Sequence, residues 1–105
     1  MSFREKIQRD PDLFLVAELD GNLVGTVIGG FDGRRGMVYH LAVSRLFRKN
    51  GIGEKLMDEL ERRLRLKGCL RSYLLVTQQN LQAIDFYLKR GWKDLDLVVM
   101  GKDIG

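Results

Sequence analysis

The sequence predicts an α+β fold, in which a mixed α/β sheet carries a small number of helices. Three observations lead to this prediction. Candidate strands alternate with candidate helices in the second half of the chain, an Asp-Gly turn joins two strand-like segments near its start, and one long segment has clear helical periodicity.

The composition limits the classes of protein to consider. A chain of 105 residues predicts one domain, here residues 1–105, and an apolar fraction of 45% is enough for a packed core. The apolar runs are too short to span a bilayer, the first residues lack the apolar core of a signal peptide, and Cys69 is the single cysteine. We therefore expect a cytoplasmic protein with no membrane partner.

The first third of the chain predicts a short helix and a hairpin. Residues 2–9 are charged, with two apolar residues four positions apart, which is typical of the last turns of a helix. Phe14 to Leu19 is a strand candidate, Asp20-Gly21-Asn22 is a turn that accepts positive φ, and Leu23 to Gly30 is the returning strand.

The middle of the chain predicts a flexible connection and a third strand. The connection is rich in glycine, from Gly29 to Gly36, and the strand runs from Met37 to Val43. Strict alternation would place Met37, Tyr39, Leu41 and Val43 on one face of the sheet and Val38, His40 and Ala42 on the other.

The clearest element is a long amphipathic helix that begins near Ile52 and stops at Gly68. Its apolar stripe predicts the face that packs on the sheet and consists of Ile52, Leu56, Met57, Leu60 and Leu64. The opposite face carries acid-to-base pairs at i, i+4, typical of a solvated surface: Asp58/Arg62, Glu59/Arg63 and Glu61/Arg65.

The last third predicts further strands around a second helix. Ser72 to Thr77 is an apolar strand, and a helix from about Leu81 to Arg90 has Asn80 as its N-cap and stops at Gly91. Trp92 to Lys102 predicts one or two final strands.

A glycine-rich turn between the third strand and the long helix predicts an anion site. Gly51 and Gly53 permit a tight turn and close approach to the backbone, and the first N–H groups of a helix have no partner within it. Arg48 and Lys49 add positive charge, so a phosphate fits this position. The same residues could also form a plain helix-entry loop, and the residues alone leave both readings open.

This turn resembles the signature of the GNAT superfamily of acyl-CoA N-acyltransferases, Gln/Arg-x-x-Gly-x-Gly/Ala after a Leu-Ala-Val-like strand. Arg48, Gly51 and Gly53 fill the three signature positions. A second segment, Asn80 to Tyr87 followed by Gly91-Trp92, is similar to the family's other cofactor motif. The resemblance covers about residues 12 to 103 and implies a GNAT-like fold with a shortened N-terminal part.

The resemblance implies acetyl-CoA as co-substrate and an amine as acceptor. The backbone of Leu41, Ala42 and Val43 would bind the pantetheine amide and the acetyl carbonyl. The pyrophosphate would lie against Arg48, Lys49, Asn50, Gly51, Ile52, Gly53 and Glu54. On the second helix, Asn80, Ala83 and Tyr87 would face the cofactor, and Tyr87 would protonate the departing thiolate.

The general base is left open between two residues. His40 is the single histidine and lies beside the expected acetyl position, and its ordinary pKa suits proton removal. Glu18, near the end of the first strand of the hairpin, could act through water. Other members carry a glutamate where this chain has Met37. One histidine and one cysteine give no metal-ligand spacing, so no metal is expected.

The sequence therefore favours an acetyl-CoA-dependent N-acetyltransferase that acts by direct attack of a primary amine. The alternative is a non-catalytic acyl-CoA-binding or regulatory module. A nucleic-acid-binding domain ranks last, because the formal charge of +4 is diffuse and no aromatic platform is interleaved with it. We also expect a homodimer, since a shortened front would leave the Phe14–Leu19 strand as an open edge.

Overall fold

A computed structural model describes residues 2–5 and 11–105 of the chain, which divides into two compact units, Met1–Leu75 and Val76–Gly105. The first unit holds a sheet and one long helix, and the second holds one shorter helix. The strands are β1 Ser2–Glu5, β2 Phe14–Leu19, β3 Asn22–Phe31, β4 Gly36–Val43 and β5 Ser72–Leu74. The helices are α1 Ile52–Leu66 and α2 Leu81–Lys89, and two short 3₁₀ helices span Pro11–Leu13 and Arg45–Phe47.

The sheet is mixed, with strand order β1-β2-β3-β4-β5. The first three pairings are antiparallel, and β4 and β5 pair in parallel. A parallel pair requires a crossover connection, and α1 lies in the connection from β4 to β5. The predicted α+β class with a mixed sheet is confirmed.

The start of the chain differs from the sequence prediction. Residues 2–5 form a strand rather than the end of a helix, and residues 6–9 lie outside the described part of the chain. Because β1 pairs with β2, the Phe14–Leu19 strand has a neighbour on both sides, and the prediction that it is an open edge is wrong. The homodimer remains a prediction, but an open Phe14–Leu19 edge no longer supports it.

The hairpin between β2 and β3 is confirmed. Asp20 and Gly21 both have positive φ, 52° and 80°, the conformation that a two-residue hairpin turn requires. The returning strand, predicted from Leu23 to Gly30, runs from Asn22 to Phe31, so Gly29 and Gly30, which the sequence also assigned to the flexible connection, lie in the strand.

Gly29 and Gly25 of β3 are packing positions against α1. An ideal Cβ on Gly29 would lie 2.7 Å from Leu60 Cδ1, and one on Gly25 would lie 3.0 Å from Leu56 Cδ1. Both leucines belong to α1 and are fully buried. Glycine in β3 therefore allows α1 to approach the sheet closely.

The predicted apolar stripe of α1 forms much of the core. It consists of five buried residues, Ile52, Leu56, Met57, Leu60 and Leu64, and α1 packs against β2, β3 and β4. On the outer side, Glu59 binds both Arg62 (2.6 Å) and Arg63 (2.7 Å). The predicted pair of Glu59 with Arg63 is therefore present, and Glu59 also binds Arg62 across one turn.

The C-terminal part contains α2 and no further strand. Helix α2 begins after Asn80 and ends before Gly91, as predicted. Residues 92–102 were predicted to supply one or two strands, and this is wrong: residues 92–105 have no regular secondary structure. A local turn in which the Asp94 carboxylate accepts the Asp96 N–H (2.9 Å) interrupts the segment, and strand-like composition alone supplies no pairing partner.

In the described residues, no helix combines the length and apolar character that a bilayer crossing requires.

Candidate active site

The central feature of the first unit is a β-bulge in β4. Gly29 of β3 pairs with Val38, and the preceding residue Ile28 pairs with His40, so Tyr39 is an extra residue in β4. The predicted strict alternation of β4 is therefore wrong beyond this point. Upstream of the bulge Val38 is on the α1 face of the sheet, and downstream Leu41 takes that face while His40 takes the other.

The bulge coincides with the point at which β4 and β5 stop pairing. The last pair is Val38 with Leu74, so β4 continues from Tyr39 to Val43 beyond the end of its parallel neighbour. The backbone of this stretch is bound to β3 on one side only. We refer to residues 39–43 as the open edge of β4.

The hydrogen-bond direction along the open edge follows from its register. Ser44 N–H donates to Val24 O at 2.8 Å, so Ser44 directs its backbone groups toward β3. In an antiparallel pair this direction alternates, so Ala42 also points toward β3, whereas Leu41 and Val43 point away from it. Of the three predicted backbone contacts, the register leaves Leu41 and Val43 directed to the open side.

The turn after β4 leads directly into α1. Asn50 N–H donates to Phe47 O, Gly51 has φ +75° at the N-cap, and the first helical hydrogen bond runs from Lys55 N–H to Gly51 O (3.1 Å). The N–H groups of Ile52, Gly53 and Glu54 therefore precede the first hydrogen bond within the helix. No atom lies within 4 Å of an ideal Cβ on Gly51, so the space beside this turn is open.

This turn carries two basic side chains. Arg48, Lys49 and Asn50 are exposed, and Arg48 Nε donates to Val43 O across 3.4 Å, which links the turn to the end of the open edge. Glu54 places one acidic side chain in the first turn of α1. The open edge, the turn and the N-terminus of α1 thus follow one another as one stretch of backbone, and the basic side chains of the turn lie beside it.

The predicted residues of α2 belong to the second unit. Asn80 Oδ1 accepts the Ala83 N–H (3.1 Å), so Asn80 is the helix cap. The Tyr87 ring packs edge-on against Trp92, with ring centroids 5.6 Å apart, and Tyr87 O accepts the Trp92 N–H. Burial raises the pKa of the Tyr87 phenol above its ordinary value, and the positive charge of Arg90 opposes this. Tyr87 therefore keeps its proton at neutral pH.

The sequence places Leu81, Ile84 and Leu88 on one apolar face of α2 and predicts that this face packs on the sheet, but the structure leaves most of it exposed. Leu81 and Leu88 are exposed by 72% and 52%, and only Ile84 of that set is half-buried.

The two candidate bases occupy different positions in the sheet. His40 is exposed on the face opposite α1 and belongs to the open edge. Glu18 is half-buried in β2, two strands from β4, and pairs with Leu23, which is five positions along β3 from the Ile28 that pairs with His40. Met37 is half-buried and supplies no carboxylate. In the described part of the chain, no three His, Cys, Asp or Glu side chains are grouped as a metal site.

Sequence reasoning missed the bulge at Tyr39. The sequence does contain a signal for it. Val38 and Leu41 are three positions apart and Leu41 and Val43 are two apart, so a strand with all three on one face needs an extra residue near the polar His40.

Comparison with known proteins gives one consistent family. The acetyltransferase (GNAT) family model matches residues 2–92. An acetyltransferase of Pectobacterium atrosepticum is 42% identical over 102 residues, which are 97% of this chain and 72% of that protein.

Solved structures agree on the fold. Ard1 from Thermoplasma volcanium is 32% identical with a TM-score of 0.72, and the match covers 75% of this chain and 54% of Ard1. The chain thus spans about half the length of that protein. Arabidopsis thaliana Naa50, solved with a bisubstrate analogue CoA-Ac-MVNAL, is 25% identical with a TM-score of 0.72, over 82% of this chain and 60% of Naa50.

Proposed function

This chain belongs to the acetyltransferase (GNAT) family, and on that premise we propose that it is an acetyl-CoA-dependent N-acetyltransferase that modifies a primary amine. The observation that carries the proposal is the open edge of β4, which runs into the glycine turn and the N-terminus of α1. Together they offer outward backbone donors for an extended amide chain and helix N–H groups for phosphates.

The residues present fit such a co-substrate. The space beside Gly51 would be filled by any Cβ, and a phosphate placed there would receive the N–H groups of Ile52 and Gly53. Arg48 and Lys49 would add charge. Leu41 N–H, directed to the open side, would donate to the carbonyl oxygen as negative charge develops on it.

When bound, acetyl-CoA supplies the acetyl group, and transfer joins the amine nitrogen to the carbonyl carbon while the carbon–sulfur bond breaks. The amine must lose one proton, and we assign its removal to His40, with Glu18 through water as the alternative. The sulfur must gain one proton, and we assign its donation to Tyr87, which matches the family's second motif and retains its proton at neutral pH.

The proposal is tested by measuring free thiol released from acetyl-CoA with and without a panel of primary amines. Amine-dependent release is expected. A rise in melting temperature with CoA, without release for any amine, would contradict the enzyme and favour the acyl-CoA-binding module. Thermal shifts with ATP and oligonucleotides serve as ligand controls.

The base is tested by the pH dependence of turnover in two matched variants. We expect His40→Gln to lose the limb of the pH–rate profile that rises with pH, and Glu18→Gln to keep it. The reverse result would assign the base to Glu18.

A further inference from the structure

The face of the sheet opposite α1 carries a row of side chains that leads away from the open edge. Val38 pairs with Gly29, which packs against α1, so Met37 lies on the other face together with its β5 partner Tyr73. His40 lies on the same face beyond the bulge. Because α1 covers the other face of the sheet, an acceptor that reaches the open edge through the first unit would approach along this face.

Three arginines lie next to this end of the row in the chain, two directly before β4 and one directly before β5. The Arg35 guanidinium lies over the Tyr73 ring, 5.9 Å from its centroid. Gly36 N–H donates to Arg71 O (3.1 Å), which ties the loop before β4 to the start of β5. We refer to Arg34, Arg35 and Arg71 as the arginine cluster.

The backbone that carries Arg34 and Arg35 is held in place, and Asp32 offsets part of the charge of the cluster through an electrostatic interaction with Arg35. The Asp32 carboxylate accepts the backbone N–H groups of Arg34 (2.8 Å) and Arg35 (2.7 Å), which fixes the loop. All three arginines are exposed, and in the described part of the chain none of their guanidinium groups forms an ion pair. Apart from Asp32, the cluster thus presents positive charge to solvent.

The spacing along β4 sets the reach of a ligand that uses both places. Met37, which pairs with Tyr73, lies opposite Gly30, and Leu41 lies opposite Val27, so the bulge leaves three strand positions between them, about 10 Å. An extended polypeptide covers this distance in about three residues. Resting on the proposed function, we propose that the acceptor is an acidic polypeptide whose carboxylates bind the arginine cluster about three residues from the acetylated amine.

The choice of partner follows from two requirements. Guanidinium groups bind carboxylates and phosphates with paired hydrogen bonds. The acceptor must also carry a primary aliphatic amine, which a polypeptide has and a nucleic-acid backbone lacks. A polycationic amine would be repelled by the cluster and by the net charge of +4.

The inference is tested with two peptides of equal length and a free N-terminal amine, with aspartates or lysines at positions four and five. Wild type should acetylate the acidic peptide with the higher kcat/KM. In Arg35→Glu the ratio of kcat/KM for the acidic peptide to kcat/KM for the basic peptide should fall about fivefold, the upper end of the range for an exposed ion pair. Arg65→Glu, an equal charge change in the last turn of α1, should leave the ratio unchanged.

A binding measurement separates this inference from the proposed function. Fluorescence anisotropy of a labelled acidic peptide with a blocked amine should show binding that Arg35→Glu weakens, whether or not any amine is acetylated. Equal binding by wild type and Arg35→Glu would overturn the inference, even if simple amines are substrates. Arg35-dependent binding of a labelled oligonucleotide, with none of the peptide, would overturn it as well.

Discussion

Replacing Gly51 with valine should abolish CoA binding while the fold survives. Gly51 has φ +75°, and its missing side chain faces open space where the phosphates are proposed to bind. A β-branched residue at this φ costs about 1–2 kcal/mol of stability from backbone strain alone. Its methyl groups would also occupy the proposed phosphate position, which should remove the ligand's contribution.

Gly33 provides the matched control. It has φ +96° in the loop between β3 and β4, and an ideal Cβ there also meets nothing within 4 Å. Gly33→Val should therefore show a similar loss of stability from strain, at the opposite end of β4 from the proposed phosphate site. The two variants separate backbone strain from loss of ligand binding.

The assay is thermal unfolding with and without CoA. At a CoA concentration about 100 times Kd, wild type and Gly33→Val should gain about 2.7 kcal/mol, a rise in melting temperature of roughly 10 °C or more for a domain of this size. Gly51→Val should gain almost nothing. An equal rise in Gly51→Val and Gly33→Val would refute the assignment of the phosphate site to this turn.

Three further changes test catalysis, acid stability and packing. Tyr87→Phe should lower kcat by about 10²–10⁴-fold with little change in the KM for acetyl-CoA; unchanged kcat with chemistry rate-limiting would reduce Tyr87 to a packing residue. The pKa of Glu59 is lowered from 4.5 to about 2, first by hydrogen bonding to Arg62 and then to Arg63. The stability that this carboxylate adds is complete above pH about 4.5 and lost as the pH falls toward 2. Glu59→Gln should therefore cost about 0.5–1 kcal/mol at pH 7 in chemical denaturation and almost nothing near pH 2; a constant difference would contradict this. Gly29→Ala should cost about 1–3 kcal/mol by overpacking, and a cost near zero would show that α1 can move away.

The elements that the sequence predicts well carry their signals locally. The stripe of α1 repeats every three or four residues, Asn80 caps α2 through its own side chain, and Asp20-Gly21 fits a two-residue turn. Each of these needs only neighbouring residues to form. The turn at Gly51 belongs to the same class, because a helix N-terminus and a positive φ are local properties.

The features that sequence reasoning missed depend on partners distant in the chain. Gly29 resembles a flexible loop residue, but the side chain of Leu60, on a helix thirty-one positions later, requires its small size. Residues 2–5 have no strand signal of their own and pair with β2. The segment after Trp92 has strand-like composition without a pairing partner, and it forms no strand.

The bulge at Tyr39 links the packing of β4 against α1 to the position of the open edge. In an unbroken strand with Gly36 and Val38 on the α1 face, His40 would also face the helix, and Leu41 would face the other side. A polar ring against the apolar stripe of α1 would be costly without a hydrogen-bond partner. The extra residue sends His40 to the outer face and Leu41 to the helix side. It also marks where pairing with β5 ends, so a requirement of core packing and the opening of the proposed acetyl site arise from one residue.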